Sequence, residues 1–331
     1  MAKKSTRQAY GEALVELGKV NENVVVLDAD LTKSTKTALF QKEFPNRHIN
    51  VGISEADLMA MAAGMATCGK VPFASTFAMF AAGRAFDQIR NSIAYPKLNV
   101  KIAPTHSGIS VGEDGGSHQS VEDLALMRAI PGMVVLSPAD ATETRKMVFA
   151  AAEYEGPVYL RMGRLDTEIL FDDNYDFQIG KINTLTEGTD VTIAATGLLV
   201  EEALKAQKEL ATEGISVRVL NVGTIKPLDT ETILKAAKET KLMVTAEEHS
   251  VVGGLGSAIS EYLSEEYPIK IKRVGIYDRF GQSGEGAELL EKYELTSEWW
   301  MVQAYRDWET DRKSTRLNSS HITRSRMPSS A

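Results

Sequence analysis

Short apolar runs alternate with amphipathic segments along most of the chain. Residues 24–27, 49–51, 71–74, 100–103, 133–136 and 158–160 read as strands, several of them apolar on both faces. Between them, residues 6–19, 55–68, 81–95, 121–128 and 141–154 carry apolar side chains at helical spacing. A polar stretch over 166–187, with Asp172, Asp173, Asn174 and Gly180, reads as a linker. The alternation then restarts: strands at 191–195, 217–220, 242–246 and 269–274, with helices at 200–213, 229–239 and about 256–266. The expectation is an α/β protein of two domains, 1–165 and 188–298, each a mostly parallel sheet covered by helices.

Composition narrows the function classes. Of 331 residues, 43% are hydrophobic and 25% charged, the mix of a soluble globular protein. No apolar run approaches the ~20 residues of a membrane span, and the first residues lack a secretory signal. Cys68 is the only cysteine, which excludes a disulfide framework and fits a reducing cytoplasm. A net charge of −8 argues against nonspecific nucleic-acid binding. One region stands apart. The three tryptophans, Trp299, Trp300 and Trp308, all lie beyond residue 298, and 312–331 holds five Lys and Arg, no acids and many Ser and Thr. Residues 299–331 therefore read as a non-native or disordered tail, set aside from functional argument.

Chemistry collects at the strand ends, where open parallel sheets carry their ligands. Asp28 and Asp30 follow the first strand, Gly52-Ile53-Ser54-Glu55 the second, Ser75-Thr76-Phe77 the third. The fourth leads into Thr105 to Gln119, a loop with His106, His118, Asp114 and four glycines. Imidazoles and carboxylates on such a loop move protons near neutral pH. Ser54 reads as an N-cap with Asp57 completing a capping box, which puts Glu55 at the first helical position. Phe77 and Phe80, three apart, offer a flat apolar surface that suits a heterocycle whose ring nitrogen faces the acid. Lys33-Ser34 lacks the glycines of a phosphate-binding P-loop. In the second domain, Glu247-Glu248-His249 followed by Gly253-Gly254-Leu255-Gly256 reads as tight packing in assembly and stability rather than a metal site.

Together with Arg84-Ala85-Phe86-Asp87-Gln88-Ile89-Arg90 and the His-x7-Asp-x3-His spacing of the loop, these pieces resemble transketolase, in family order over residues 1–298. The resemblance covers its pyrimidine-binding and carboxyl-terminal domains. It implies thiamine diphosphate and Mg2+ as cofactors. Glu55 would hydrogen-bond the aminopyrimidine nitrogen and activate the cofactor, Phe77 and Phe80 would stack on the pyrimidine, and Asp30 would lie at the cofactor's edge. His106 and His118 would bind sugar oxygens and shuttle protons, and Asp114 would recognise a 2-hydroxyl. Arg7, Ser34 and Arg164 would clamp the substrate's phosphate.

The family's Gly-Asp-Gly motif, which holds Mg2+ and diphosphate, is missing from the sequence. The chain therefore reads as the carboxyl-terminal subunit of a split transketolase. An amino-terminal subunit would hold the metal in an α2β2 assembly acting on sugar phosphates of the pentose phosphate pathway. The rival readings are the beta subunit of a pyruvate-dehydrogenase-type enzyme, a deoxyxylulose-phosphate-synthase-like enzyme, and a non-catalytic regulatory partner. The two-histidine loop and the arginines favour sugar-phosphate chemistry, and intact Glu55, His106 and His118 argue against a regulatory remnant.

Overall fold

Two largely parallel sheets form because two sets of strands with apolar centres are each flanked by helices that cover them. The computed structural model describes residues 2–300. The first sheet has the order Thr224–Lys226, Val134–Leu136, Val158–Leu160, Lys101–Ile102, Val71–Ser75, Val24–Asp28, His48–Asn50, parallel except for the first of these. Alternation along a strand sends neighbouring side chains to opposite faces. Val25 and Leu27 accordingly join Leu58, Met59, Ile89 and Ile93 on one side, while Val24 and Val26 join Tyr10, Leu14, Phe40 and Phe73 on the other. The second sheet runs Ile271–Ile276, Leu242–Ser250, Val191–Ala195, Val217–Asn221, Asn183–Thr186, with only the last strand antiparallel.

Four expectations need correction. The stretch 166–187 is not a bare linker: Asp166–Glu168 pairs with Lys3–Ser5, and Asn183–Thr186 pairs with Val217–Asn221. Both strands are short and polar, so neither carries an apolar pattern. Thr224–Lys226, from the second half of the chain, adds an antiparallel edge to the first sheet, so the two halves are interlocked. The helix expected over 81–95 is two wide turns, Phe80–Arg84 and Gln88–Ala94, bonded five residues apart, as between Ala85 N–H and the Phe80 carbonyl at 3.2 Å. Ser54 makes no side-chain cap to the helix Glu55–Thr67, so the capping box does not form.

The tail also begins later than its composition indicates. Trp300 is 2% exposed and packs in the second-domain core with Leu289, Tyr293 and Leu295. Residues 301–331 lie outside the described residues. Trp300→Ala is expected to destabilise the fold by ~3–5 kcal/mol, the usual cost of emptying a buried tryptophan site. Chemical denaturation checks this, and an unchanged midpoint would return Trp300 to the tail.

Candidate active site

The carboxyl ends of the central strands of the first sheet converge on one corner. Glu55 opens its helix there and is 2% exposed. Its two oxygens accept hydrogen bonds from Arg84 Nη1 at 3.1 and 3.0 Å. Arg84 is half exposed, and its guanidinium lies 4.6 Å from the centroid of the Phe80 ring. Phe80 and Phe77 are stacked, 5.8 Å apart and 15° from parallel. The Phe77 ring stacks on His106 at 3.9 Å, and His118 meets both phenylalanines edge-on. The rings are thus assembled, but they are not equally open. Phe77 is buried against His106, whereas Phe80 is half-buried between Phe77 and the Arg84 guanidinium.

His106 adopts a left-handed backbone, φ 58°, which turns its ring back into the corner. Its Nδ1 lies 2.7 Å from the Thr105 hydroxyl and its Nε2 3.5 Å from Arg7 Nη1. Arginine only donates, so Nε2 accepts and Nδ1 carries the proton. Burial pushes the imidazole down to about 3, helped by the positive charges of Arg7 and Arg164. His106 is therefore neutral throughout the physiological range. Arg7 also donates to the Ser34 carbonyl at 3.1 Å, so Ser34 enters this network through its backbone. Burial and the neighbouring Arg164 lower the Arg7 guanidinium from its ordinary value.

Arg164, beyond the strand Val158–Leu160, donates to the Val111 carbonyl and pairs with Glu113 at 2.7 Å and Asp114 at 4.0 Å. His118, half-buried, approaches the Ser117 hydroxyl with Nδ1 at 3.0 Å. Arg7, Arg164, His106, His118 and Asp114 thus gather around one loop. Asp30 is exposed at the end of Val24–Asp28, φ 63°, and exchanges hydrogen bonds with Asn50 in both directions at 3.0 Å. The turn beyond that strand is tied instead by buried Asp28, which accepts from Leu31 N–H, Thr35 and Thr37.

Sequence reasoning gave no role to Arg84, Glu113 or Gln119, and read Glu248 only as part of a packing run. Arg84 lay inside a quoted run and Gln119 closed the loop, but neither spacing nor composition reveals their partners. Gln119 Nε2 donates to the carbonyls of Ile109, Gly112 and Gln282. The second-domain run divides as packing requires. Glu247 accepts from the N–H groups of Leu255 and Gly256 at a helix start, whereas Glu248 reaches the histidine loop.

A buried carboxylate beside stacked aromatic rings, next to a corner with two guanidiniums and a neutral imidazole, suits a planar cofactor and an anionic substrate. These features make the strand ends the candidate active site of an α/β protein. Comparison with known proteins gives the particular family. Residues 2–168 match the family described as transketolase, pyrimidine binding domain, and 180–299 match transketolase, C-terminal domain. A putative transketolase C-terminal section of Methanocaldococcus jannaschii is 53% identical over 298 residues, covering 89% of this chain and 93% of that protein. A 6-deoxy-6-sulfo-D-fructose transketolase subunit of Clostridium sp. (strain MSTE9) is 44% identical, covering 88% and 90%. A solved split gene transketolase, described as an inactive beta4 tetramer, superposes with a TM-score of 0.85 at 53% identity, covering 92% of this chain and 98% of that one. The chain belongs to the transketolase family and is of the carboxyl-terminal subunit type found in split transketolases. Among the described residues no helix is long and apolar enough to cross a membrane.

Proposed function

We propose that this chain supplies the pyrimidine-facing half of a ketol-transfer site and works with an amino-terminal subunit on anionic sugars in the cytoplasm. The observation that carries the reading is the corner in which Arg7, neutral His106 and Arg164 meet beside the Phe77–Phe80 stack and Glu55. Family membership implies thiamine diphosphate, which when bound supplies the carbon nucleophile that takes up a two-carbon unit. The residues fit that group. Glu55 is a nearly buried acceptor, and its partner Arg84 is half exposed and free to yield to a ring nitrogen. Phe80 offers a stacking face once Arg84 swings off its ring, Phe77 backs it, and Asp30 stands at the cofactor's edge. Mg2+ and the diphosphate fall to the amino-terminal subunit, in an α2β2 assembly.

Glu55 holds a proton at the ring nitrogen. His106 and His118 hold sugar hydroxyls and exchange protons with them, His106 through an uncharged ring whose Nε2 already accepts from Arg7. Asp114 orients the acceptor's 2-hydroxyl. Arg7 and Arg164, with Ser34 setting Arg7, bind the terminal anion. The same clamp accommodates phosphate or sulfonate, so the Clostridium relative's substrate and a pentose-phosphate-pathway ketose are both candidates. The transketolase names of the relatives favour ketol transfer over decarboxylation coupled to lipoyl transfer.

Reconstitution with the amino-terminal subunit tests this directly, with xylulose 5-phosphate as the first donor. Absence of ketol transfer from any phosphorylated or sulfonated ketose would overturn the reading. Arg164→Ala should weaken xylulose 5-phosphate by about ten- to hundredfold in kcat/KM, from ~1.5–3 kcal/mol of charge-assisted contact. Hydroxypyruvate, which has no phosphate, should lose far less. Equal losses would mean that Arg164 only ties the loop through Glu113 and Val111.

A further inference from the structure

The loop that carries His106, Asp114 and His118 buries only two apolar side chains of its own, Ile109 and Val111, and Ile109 packs in the second-domain core. Its base is closed by Gly108 N–H to the Ser120 carbonyl at 2.8 Å and by Ser107 N–H to the Met162 carbonyl at 3.2 Å. Its crown is closed by short turns, Gly115 N–H to Gly112 and His118 N–H to Gly115. Backbone bonds of this kind leave a glycine-rich crown freer than catalysis tolerates. What steadies it comes from the other domain.

The strand Leu242–Ser250 ends against the base of the loop. Glu248 is 3% exposed, and its Oε1 accepts from Ser110 N–H at 2.6 Å. Gly108, φ 76°, lies so close that a Cβ there would sit 2.2 Å from the Glu248 carboxyl carbon. The loop backbone therefore rests on this carboxylate. Glu248 is itself held from behind: Arg161 donates to its carbonyl at 2.9 Å and forms a buried two-point pair with Asp123 at 2.8 and 3.1 Å. Next in the strand, His249 Nε2 accepts from Ala125 N–H, and Ser250 N–H donates to the Val121 carbonyl. The crown has a second support. The 281–286 segment runs along it so closely that a Cβ on Gly116 would sit 2.7 Å from the Gly281 carbonyl, and Gln119 straps the two together through Gln282.

We propose that the carboxyl-terminal domain is the scaffold of the substrate loop, and that Glu248 is the positioning residue through which it sets the loop's backbone. The assignment of substrate to this loop rests on the function proposed above; the bracing itself does not. Glu248 touches no site side chain. It fixes the Gly108–Ser110 backbone, and with it the separation of His106 at one foot of the loop from Asp114 and His118 further on. Removing its carboxylate leaves the Ser110 amide, in a residue 1% exposed, without an acceptor. Glutamine at 248 keeps the acceptor and the shape.

The test uses the full chain, alone and with the amino-terminal subunit, thiamine diphosphate and Mg2+. Glu248→Ala should speed hydrogen exchange at the loop amides of residues 108–119 by at least ~tenfold, measured on the chain alone. In the assembled enzyme it should lower kcat/KM for ketol transfer by at least ~tenfold, the scale of a misplaced site. Exchange of the bound cofactor's C2 proton, which relies on Glu55, should stay within about twofold of wild type, and Glu248→Gln should restore transfer to within about threefold. Gly281→Ala puts a Cβ 1.7 Å from Gln119 Oε1 outside the buried core, and serves if Glu248→Ala does not fold. It should reproduce the split between transfer and C2 exchange. Unchanged loop exchange, or a parallel fall in C2 exchange, would overturn the proposal. A wild-type enzyme without ketol transfer would instead defeat the function proposed above, and loop exchange would still judge the scaffold.

Discussion

Glu55→Gln is expected to abolish ketol transfer, by at least ~10²-fold, while leaving the protein folded and assembled. Glu55 is almost fully buried at a helix start, and its contact on the solvent side is the half-exposed Arg84. The amide has the same shape and still accepts a hydrogen bond from Arg84, so the fold loses little; a pair with one half-exposed partner contributes modestly to stability. It cannot stabilise a protonated ring nitrogen, and acid–base assistance is lost with the charge. Cofactor C2-proton exchange and ketol transfer are measured in the reconstituted enzyme, beside a thermal melt. Near-normal exchange would remove Glu55 from this role. Arg84→Ala separates the two uses of the carboxylate: if the ion pair were its purpose, both variants would lose activity equally.

Most of the architecture was legible because the strands are apolar on both faces and the helices between them keep a 3.6-residue period. Residues 24–28 and 191–195 announce buried parallel strands by composition alone. The elements that escaped are those whose partners lie far away in sequence. Thr224–Lys226 has three residues and gains its identity from Val134–Leu136, and Lys3–Ser5 gains its own from Asp166–Glu168. The segment expected as a helix over 81–95 is helical but differs in its winding. Its apolar residues suit a helix, but wide turns shift the register in a way that periodicity cannot report. Trp300 shows the limit of composition, since a residue beside an unusual tail still completes the second core.

In the candidate site, residue types were legible and their pairings were not. The loop's histidines and acid stood out by spacing, and the structure does bring Arg7, His106, His118, Asp114 and Arg164 together. That Arg164 spends its charge on Glu113, and that His106 is kept neutral by burial and nearby arginines, are tertiary facts. Ser34 and Asp30 illustrate the converse. Each sits at the expected place in the chain, yet Ser34 meets Arg7 through a carbonyl, and Asp30 bonds to Asn50. The bracing by Glu248 was hidden because adjacent acids beside glycines look the same in sequence whether they cap a helix or hold a loop.

Purified alone, the chain is expected to bind thiamine diphosphate at least ~100-fold more weakly than in the assembled enzyme and to show no ketol transfer. On the proposed reading it would supply the acid and the rings for one end of the cofactor, and its sequence has no Gly-Asp-Gly for the Mg2+–diphosphate end. Mg2+ prefers carboxylates together with substrate phosphates, and two lost charge-assisted contacts already account for about a hundredfold. Ile53, two residues before Glu55, is 78% exposed, and Tyr95, beyond the second wide turn, is 85% exposed. Large apolar side chains left open on the surface fit a contact with another chain. Calorimetry with cofactor and Mg2+, with and without the amino-terminal subunit, measures the difference, and sedimentation gives the assembly. Tight Mg2+-dependent binding and full turnover by this chain alone would overturn the split-site account, because Glu55, Phe80 and the arginine corner would then need no second half.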